Sequence, residues 1–336
     1  MKFRLVHGAG AIAAALLISL SAAGLSQPAD PDVAPEAVGG EEIGFGQDKR
    51  SRMTVPISID GKGPYDFLID TGAERTVISS ELAQKLALLE GKVARMHSMS
   101  GVGDVSTVII PQLLVSKRAV AGIHAPALKE ANIGASGMLG IDSLQSQRVV
   151  FDFAKEKMTV TPSDTPQRRL DPNEIVVTAR SRFGRLVLVN ARLDGEKLMV
   201  VLDTGSEVTI GNEALRKKLV GKRKLRETVP IDLVSVTGGT IRADYTHATR
   251  IQIGGVLINE LPVAFAEVHP FKQLELSNRP ALLLGMDALR LFERVSVDFA
   301  NKKVRFFSPD LSAPTGARMP DQGNSNARRV PVGARF

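Results

Sequence analysis

Phe67-Leu68-Ile69-Asp70-Thr71-Gly72-Ala73 is an apolar run that ends in Asp-Thr-Gly, and Val200-Val201-Leu202-Asp203-Thr204-Gly205-Ser206 repeats it in the second half of the chain. A short apolar run bounded by Gly reads as a buried strand that delivers its Asp into a tight turn. A lone buried carboxylate is costly. Two of them brought together about a pseudo-twofold axis resolve their repulsion by sharing one proton. The alternative for a single copy is a turn in which the Asp bonds its own backbone, so the weight rests on what accompanies each copy.

The two halves match in order. The first opens with Val55-Pro56-Ile57-Ser58-Ile59, turns at Gly61-Lys62-Gly63-Pro64 and runs into Asp70; Ser79-Ser80-Glu81-Leu82 then opens a short capped helix. The second half alternates from Leu186 to Leu193, turns at Asp194-Gly195-Glu196-Lys197, runs into Asp203 and opens a helix at Asn212-Glu213-Ala214-Leu215. Glycine-rich hairpin tips follow at Gly101 and Gly103 and again at Gly238 and Gly239. Met138-Leu139-Gly140 is answered by Leu283-Leu284-Gly285, and each is followed by a closing hairpin. Only loop lengths differ. Motifs preserved in order over so long a repeat indicate two homologous domains rather than a solenoid.

The expected organisation is a signal peptide over 1–23, a flexible acidic lead over 24–51, an N-terminal lobe over 52–163, a linker and start of the second lobe over 164–183, a C-terminal lobe over 184–309, and a disordered basic tail over 310–336. Lys2 and Arg4, the apolar stretch Ala11 to Leu20 and the small residues Ser21-Ala22-Ala23 form the secretory pattern. The stretch is shorter than a spanning helix requires, so the expectation is export to a periplasm or the medium, with no stable membrane span after cleavage. An uncleaved anchor is the alternative. The chain of 336 residues has no Cys, which excludes disulfides and thiol catalysis.

A formal net charge of +7 is mild for this length and is not the footprint of a nucleic-acid binder. The densest cations, Arg216-Lys217-Lys218 with Lys222-Arg223-Lys224 and Arg226, read as a solvated face, with docking to anionic lipid or an acidic partner as the alternative. The five His show no metal-ligand spacing, and no Gly-x-Ser-x-Gly elbow or phosphate loop occurs. The expectation is that no metal and no cofactor is used.

Asp70-Thr71-Gly72-Ala73-Glu74-Arg75-Thr76-Val77 resembles the retroviral aspartic protease signature, and the apolar-apolar-Gly elements resemble the family's second element. The resemblance covers about 52–163 and 184–309. It implies an all-β fold of two retropepsin-like lobes around a cleft, one chain supplying both acids, so that a monomer suffices. It also implies a peptide or protein substrate, with hydrolysis by a water held between Asp70 and Asp203. Thr71 and Thr204 are then expected to hydrogen-bond across the axis, and Gly72 and Gly205 to permit close backbone approach. Glu74 and Glu207 are expected near substrate backbone, with loop-bracing as the alternative, and the glycine-rich tips are expected to act as flaps. Ala73 and Ser206 differ between halves. A hydroxyl donated from Ser206 to its neighbouring carboxylate predicts that the charge lies on Asp203 and the proton on Asp70. The rival class is a non-catalytic peptide-binding or scaffold protein with the same fold.

Overall fold

A computed structural model describes residues 41–44, 46–47, 53–115, 118–144, 147–166, 174–182 and 185–307. The expected signal peptide and basic tail lie outside these residues. No helix among the described residues is long and apolar enough to cross a membrane.

Strands dominate, as the all-β expectation requires, and they close into two six-stranded barrels. In the first barrel the strand Met53–Ile59 pairs with Lys62–Ile69, and the circuit continues through Gly137–Leu139, Val77–Ser79, Arg118–Leu128 and Thr107–Val115. It closes where Ile57 to Ile59 meet Val115 to Leu113. In the second, Arg185–Leu193 pairs with Glu196–Leu202, then Ala281–Leu284, Ile210–Gly211, Val256–Phe265 and Thr240–Ile253, and Ala191 to Leu193 close it against Ile253 to Ile251. The second circuit is the first one replayed strand for strand.

The opening run is continuously apolar because its strand is covered on both faces. Phe67 and Ile69 point into the main core, whereas Leu68, between them, packs with Val77, Leu128 and Met138 on the other side. Val200 and Leu202 likewise enter the main core, and Val201 joins Ile210, Phe271 and Leu283. Hairpins entering both runs are tighter than the sequence indicated. Asp60-Gly61 and Asp194-Gly195 have positive φ (48° and 72°; 46° and 85°) and form two-residue turns, so strands resume at Lys62 and Glu196. Such turns match the twist of the flanking strands.

The sheet of the second barrel continues, where Arg185–Leu193 pairs with Glu174–Arg182, into a segment that joins the lobes. Six antiparallel strands run in the order Glu41–Gly44, Lys157–Pro162, Gln147–Asp152, Arg294–Asp298, Lys303–Phe307 and Glu174–Arg182, three from each half. The halves meet where Arg148 faces Asp298, Val150 faces Ser296 and Asp152 faces Arg294. The acidic lead is therefore not wholly flexible: Glu41–Gly44 forms the edge of this sheet, and Gly46–Gln47 pairs with Met53 and Thr54. At four residues, Glu-Glu-Ile-Gly, this edge strand is too short to show the apolar alternation by which strands are read.

Both expected helices form. Ser79 Oγ accepts from the Leu82 N–H at 3.0 Å to cap Ser80–Lys85, and Asn212 Oδ1 accepts from the Leu215 N–H at 3.0 Å to cap Glu213–Gly221. The basic cluster starts within the second helix and runs past its end, and four of its seven cations are paired. Lys222 and Lys224 both reach Glu196 (2.7 and 3.4 Å), Arg226 holds Glu260 through two bonds, and Arg216 meets Asp244 at 2.9 Å.

Candidate active site

Each Asp-Thr-Gly lies where its strand leaves its barrel. The Asp70 N–H donates to the Leu139 carbonyl at 3.0 Å and the Asp203 N–H to the Leu284 carbonyl at 3.1 Å, so each loop is tied to the apolar-apolar-Gly strand beside it. A Cβ on Gly140 would lie 2.5 Å from the Arg75 carbonyl carbon, and one on Gly285 would lie 2.7 Å from that of Val208. Only glycine lets the two segments cross.

The loops interlock across the axis. Thr71 N–H donates to Thr204 Oγ1 (3.0 Å) and Thr204 N–H donates to Thr71 Oγ1 (3.1 Å). The hydroxyls donate onward to the Leu202 and Ile69 carbonyls at 3.0 and 2.7 Å. All four bonds are buried, so each is costly to break. Above them the carboxyls converge: a Cβ on Gly72 would lie 2.8 Å from Asp203 Oδ1 and 3.1 Å from Asp70 Oδ1. A Cβ on Gly205 would overlap the Asp70 carboxylate. Glycine at both positions therefore makes room for the opposite acid.

The carboxyls are not equivalent. Asp70 Oδ1 accepts the Gly72 and Ala73 N–H groups at 2.7 and 3.0 Å, whereas Asp203 Oδ1 accepts that of Gly205 at the longer distance of 3.2 Å, with the Ser206 N–H also directed at its carboxyl. Burial, and then the charge of Asp70, pushes the Asp203 pKa up to about 7, although Arg185 and the N–H groups of Gly205 and Ser206 pull the other way. The pair titrates as a unit, and the burial that opposes ionisation of Asp203 gives no support to the expected assignment of the charge to that residue. The premise of that assignment fails because the Ser206 hydroxyl donates to the Val208 carbonyl at 2.7 Å instead of to a carboxylate.

A second pair of acids braces the loops from behind and was not singled out in the sequence. Asp142 accepts the Thr76 N–H at 3.0 Å and its hydroxyl at 2.8 Å, and Asp287 accepts those of Thr209 at 2.9 and 2.5 Å. Thr76 Oγ1 and Thr209 Oγ1 in turn accept the Gly140 and Gly285 N–H groups at 3.3 and 3.1 Å. The signal was present: Thr stands six residues after each Asp of the pair, and Asp stands two after each Gly of the second element.

The carboxyls open into a cleft of about 490 Å³ between the lobes, lined in part by Glu74 and Glu207. Gln273 Nε2 donates to Glu74 Oε1 at 3.1 Å, bridging the lobes. One wall comes from the hairpin of Ala94–Ser98 and Gly101–Val105, the other from the turn that joins Val229–Val234 to Thr240–Ile253. These tips touch: Thr237 Oγ1 lies 3.2 Å from Ser100 Oγ and 3.1 Å from Ser98 Oγ, and a Cβ on Gly239 would strike Ser100. His97 Nδ1 also lies 2.8 Å from His269 Nε2. The tip glycines Gly101, Gly103, Gly238 and Gly239 shape the hairpins but do not line the cleft. That role falls to neighbours such as His97, Met99 and Val234, with Arg185 and Gln273, which no local motif marked.

The class defined by this fold and site agrees with the family comparisons. Residues 55–146 match the family described as "gag-polyprotein putative aspartyl protease" and residues 189–288 the family described as "Aspartyl protease". The chain belongs to the retropepsin-like aspartyl proteases and carries two such domains in tandem. No curated protein matches it.

Proposed function

We propose that the chain is an exported aspartic endopeptidase in which Asp70 and Asp203 activate a water against a peptide bond. The observation that carries the reading is the meeting of two carboxyls from equivalent turns at the floor of a cleft with hairpins over it. In this reading Asp70 is the base and Asp203 the acid.

Water held between them attacks the carbonyl carbon and gives its proton to Asp70, while Asp203 gives its own proton to the carbonyl oxygen. The tetrahedral diol collapses as Asp70 passes the acquired proton to the amide nitrogen. The C–N bond breaks, and the diol hydroxyl returns a proton to Asp203. Atoms and charge balance, and no covalent intermediate forms. Because one chain supplies both acids, a monomer is sufficient.

Export is supported by the basic start, the Ala11 to Leu20 stretch and Ser21-Ala22-Ala23. Cell fractionation with mass analysis of the N-terminus tests it, and a cytoplasmic chain that retains Met1 would refute it. For the chemistry, a proteome-derived peptide mixture is incubated with the protein, with Asp70→Asn and with Asp203→Asn. Cleavage that either substitution abolishes and a statine-type inhibitor blocks is the expected result. Cleavage that survives both substitutions removes the dyad from the reaction, and binding without cleavage supports a peptide-binding module instead.

A further inference from the structure

Arg185 begins the strand Arg185–Leu193, whose Val187 faces Val201. Continuing that antiparallel register brings Arg185 alongside Asp203. Its side chain lines the cleft, yet the residue is only 7% exposed. Its Nε has no hydrogen-bond partner, and no described residue forms an ion pair with it. Asp203, whose ionisation it favours, forms no ion pair with it, and a buried guanidinium without a salt-bridged anion is costly. The contrast lies in the ion pair and not in Nε: Arg305, as deeply buried and with its own Nε unbonded, holds Glu174 through Nη1 at 2.9 Å. The charge of Arg185 acts on both Asp203 and His269, which line or border the same cleft.

Resting on the protease reading above, we infer that Arg185 forms an anionic subsite beside the scissile bond and selects peptides that bring a carboxylate to it. The planar fork of the guanidinium suits a carboxylate through paired N–H bonds. The partner missing in the free protein is then supplied by the substrate. Two sources present the same group, an Asp or Glu side chain within the peptide and the free C-terminus of a short one. A preference for acids is unexpected of a cleft already holding Glu74, Glu207 and the charged Asp70, whose repulsion a bound carboxylate must overcome. The unpaired Arg185 provides that compensation locally.

The test uses matched quenched peptides based on a sequence that the protein cleaves, with Glu or Gln at each position flanking the bond, and a second set ending in a carboxylate or an amide. At one position the acidic member is expected to have about a 10- to 100-fold higher kcat/KM, carried mainly in KM, as a charge-assisted hydrogen bond implies. The Glu and terminal sets separate the two sources. Arg185→Gln is expected to bring that ratio near one, and Arg185→Lys to keep part of it. A residue that only tunes Asp203 would shift the basic limb of the pH profile to higher pH on Arg185→Gln and leave the ratio unchanged, which would overturn the inference. Ratios near one for the unmodified protein at every position overturn it without any variant and leave the protease reading standing. Failure to cleave any peptide, with no binding of statine-containing peptides, removes that reading and the inference with it.

Discussion

Replacing Asp203 by Asn should stabilise the protein at alkaline pH while it abolishes turnover. The Asp203 carboxyl rises from 3.8 to about 7 on folding, because burial and the charge of Asp70 oppose its ionisation. Below about pH 4 it is protonated in both folded and unfolded chains, and no penalty exists. As pH rises the unfolded chain releases the proton first; the folded chain follows only near 7. The stabilising contribution of the protonated carboxyl is therefore lost between those limits. At about 1.36 kcal/mol for each tenfold change in proton affinity, the full loss is roughly 4 kcal/mol by pH 8. The amide introduced by Asp203→Asn cannot ionise and escapes it. For a chain of this size that corresponds to a Tm about 5–10 °C above wild type at pH 8, converging with it near pH 4. Scanning calorimetry across that range measures the gap and suits a chain without Trp. A gap that is absent at pH 8, or the same at both ends, would refute the argument that the two carboxyls strain each other.

Ser206→Ala should leave both limbs of the kcat/KM pH profile in place, because the Ser206 hydroxyl bonds the Val208 carbonyl; a moved limb would restore the direct donation to Asp203. Thr71→Val leaves the buried Thr204 N–H and Leu202 carbonyl without partners and should cost about 2–4 kcal/mol in chemical denaturation; an unchanged midpoint would mean that the interlock contributes little. Gly140→Ala should destabilise by about 1–3 kcal/mol through its clash with Arg75 backbone, whereas Gly103→Ala, with open space around it, should change the midpoint little. Equal effects at the two glycines would contradict that crowding.

The parts legible in the sequence are those carried by local patterns repeated in order. The two Asp-Thr-Gly turns, the apolar-apolar-Gly strands and the caps at Ser79 and Asn212 all announce themselves within a few residues. Contacts between distant segments do not. Asp142 reaches Thr76 and Gln273 reaches Glu74 only because the barrels bring them together. Arg185 stands as far before Asp203 as Arg52 stands before Asp70, a repeat visible in the sequence, but its meaning depends on a cleft formed elsewhere. The premise of the proton assignment failed for a related reason: a hydroxyl beside a carboxylate has several acceptors within reach, and the backbone turn at Val208 takes it. Glu41–Gly44 was misjudged because Pro- and Gly-rich flanks and acidic composition resemble a linker, while its edge bonds come from Lys157–Pro162.

The sheet shared by the halves has an evolutionary corollary. When two copies of one polypeptide must meet to build a catalytic centre, any change in one appears in the other, and assembly falls off on dilution. Here three strands from each half are stitched side by side within a single translated unit. The two Asp-Thr-Gly turns then belong to one polypeptide at any concentration, and each half is free to drift. Ala73 opposite Ser206 is the kind of inequality that this tether permits.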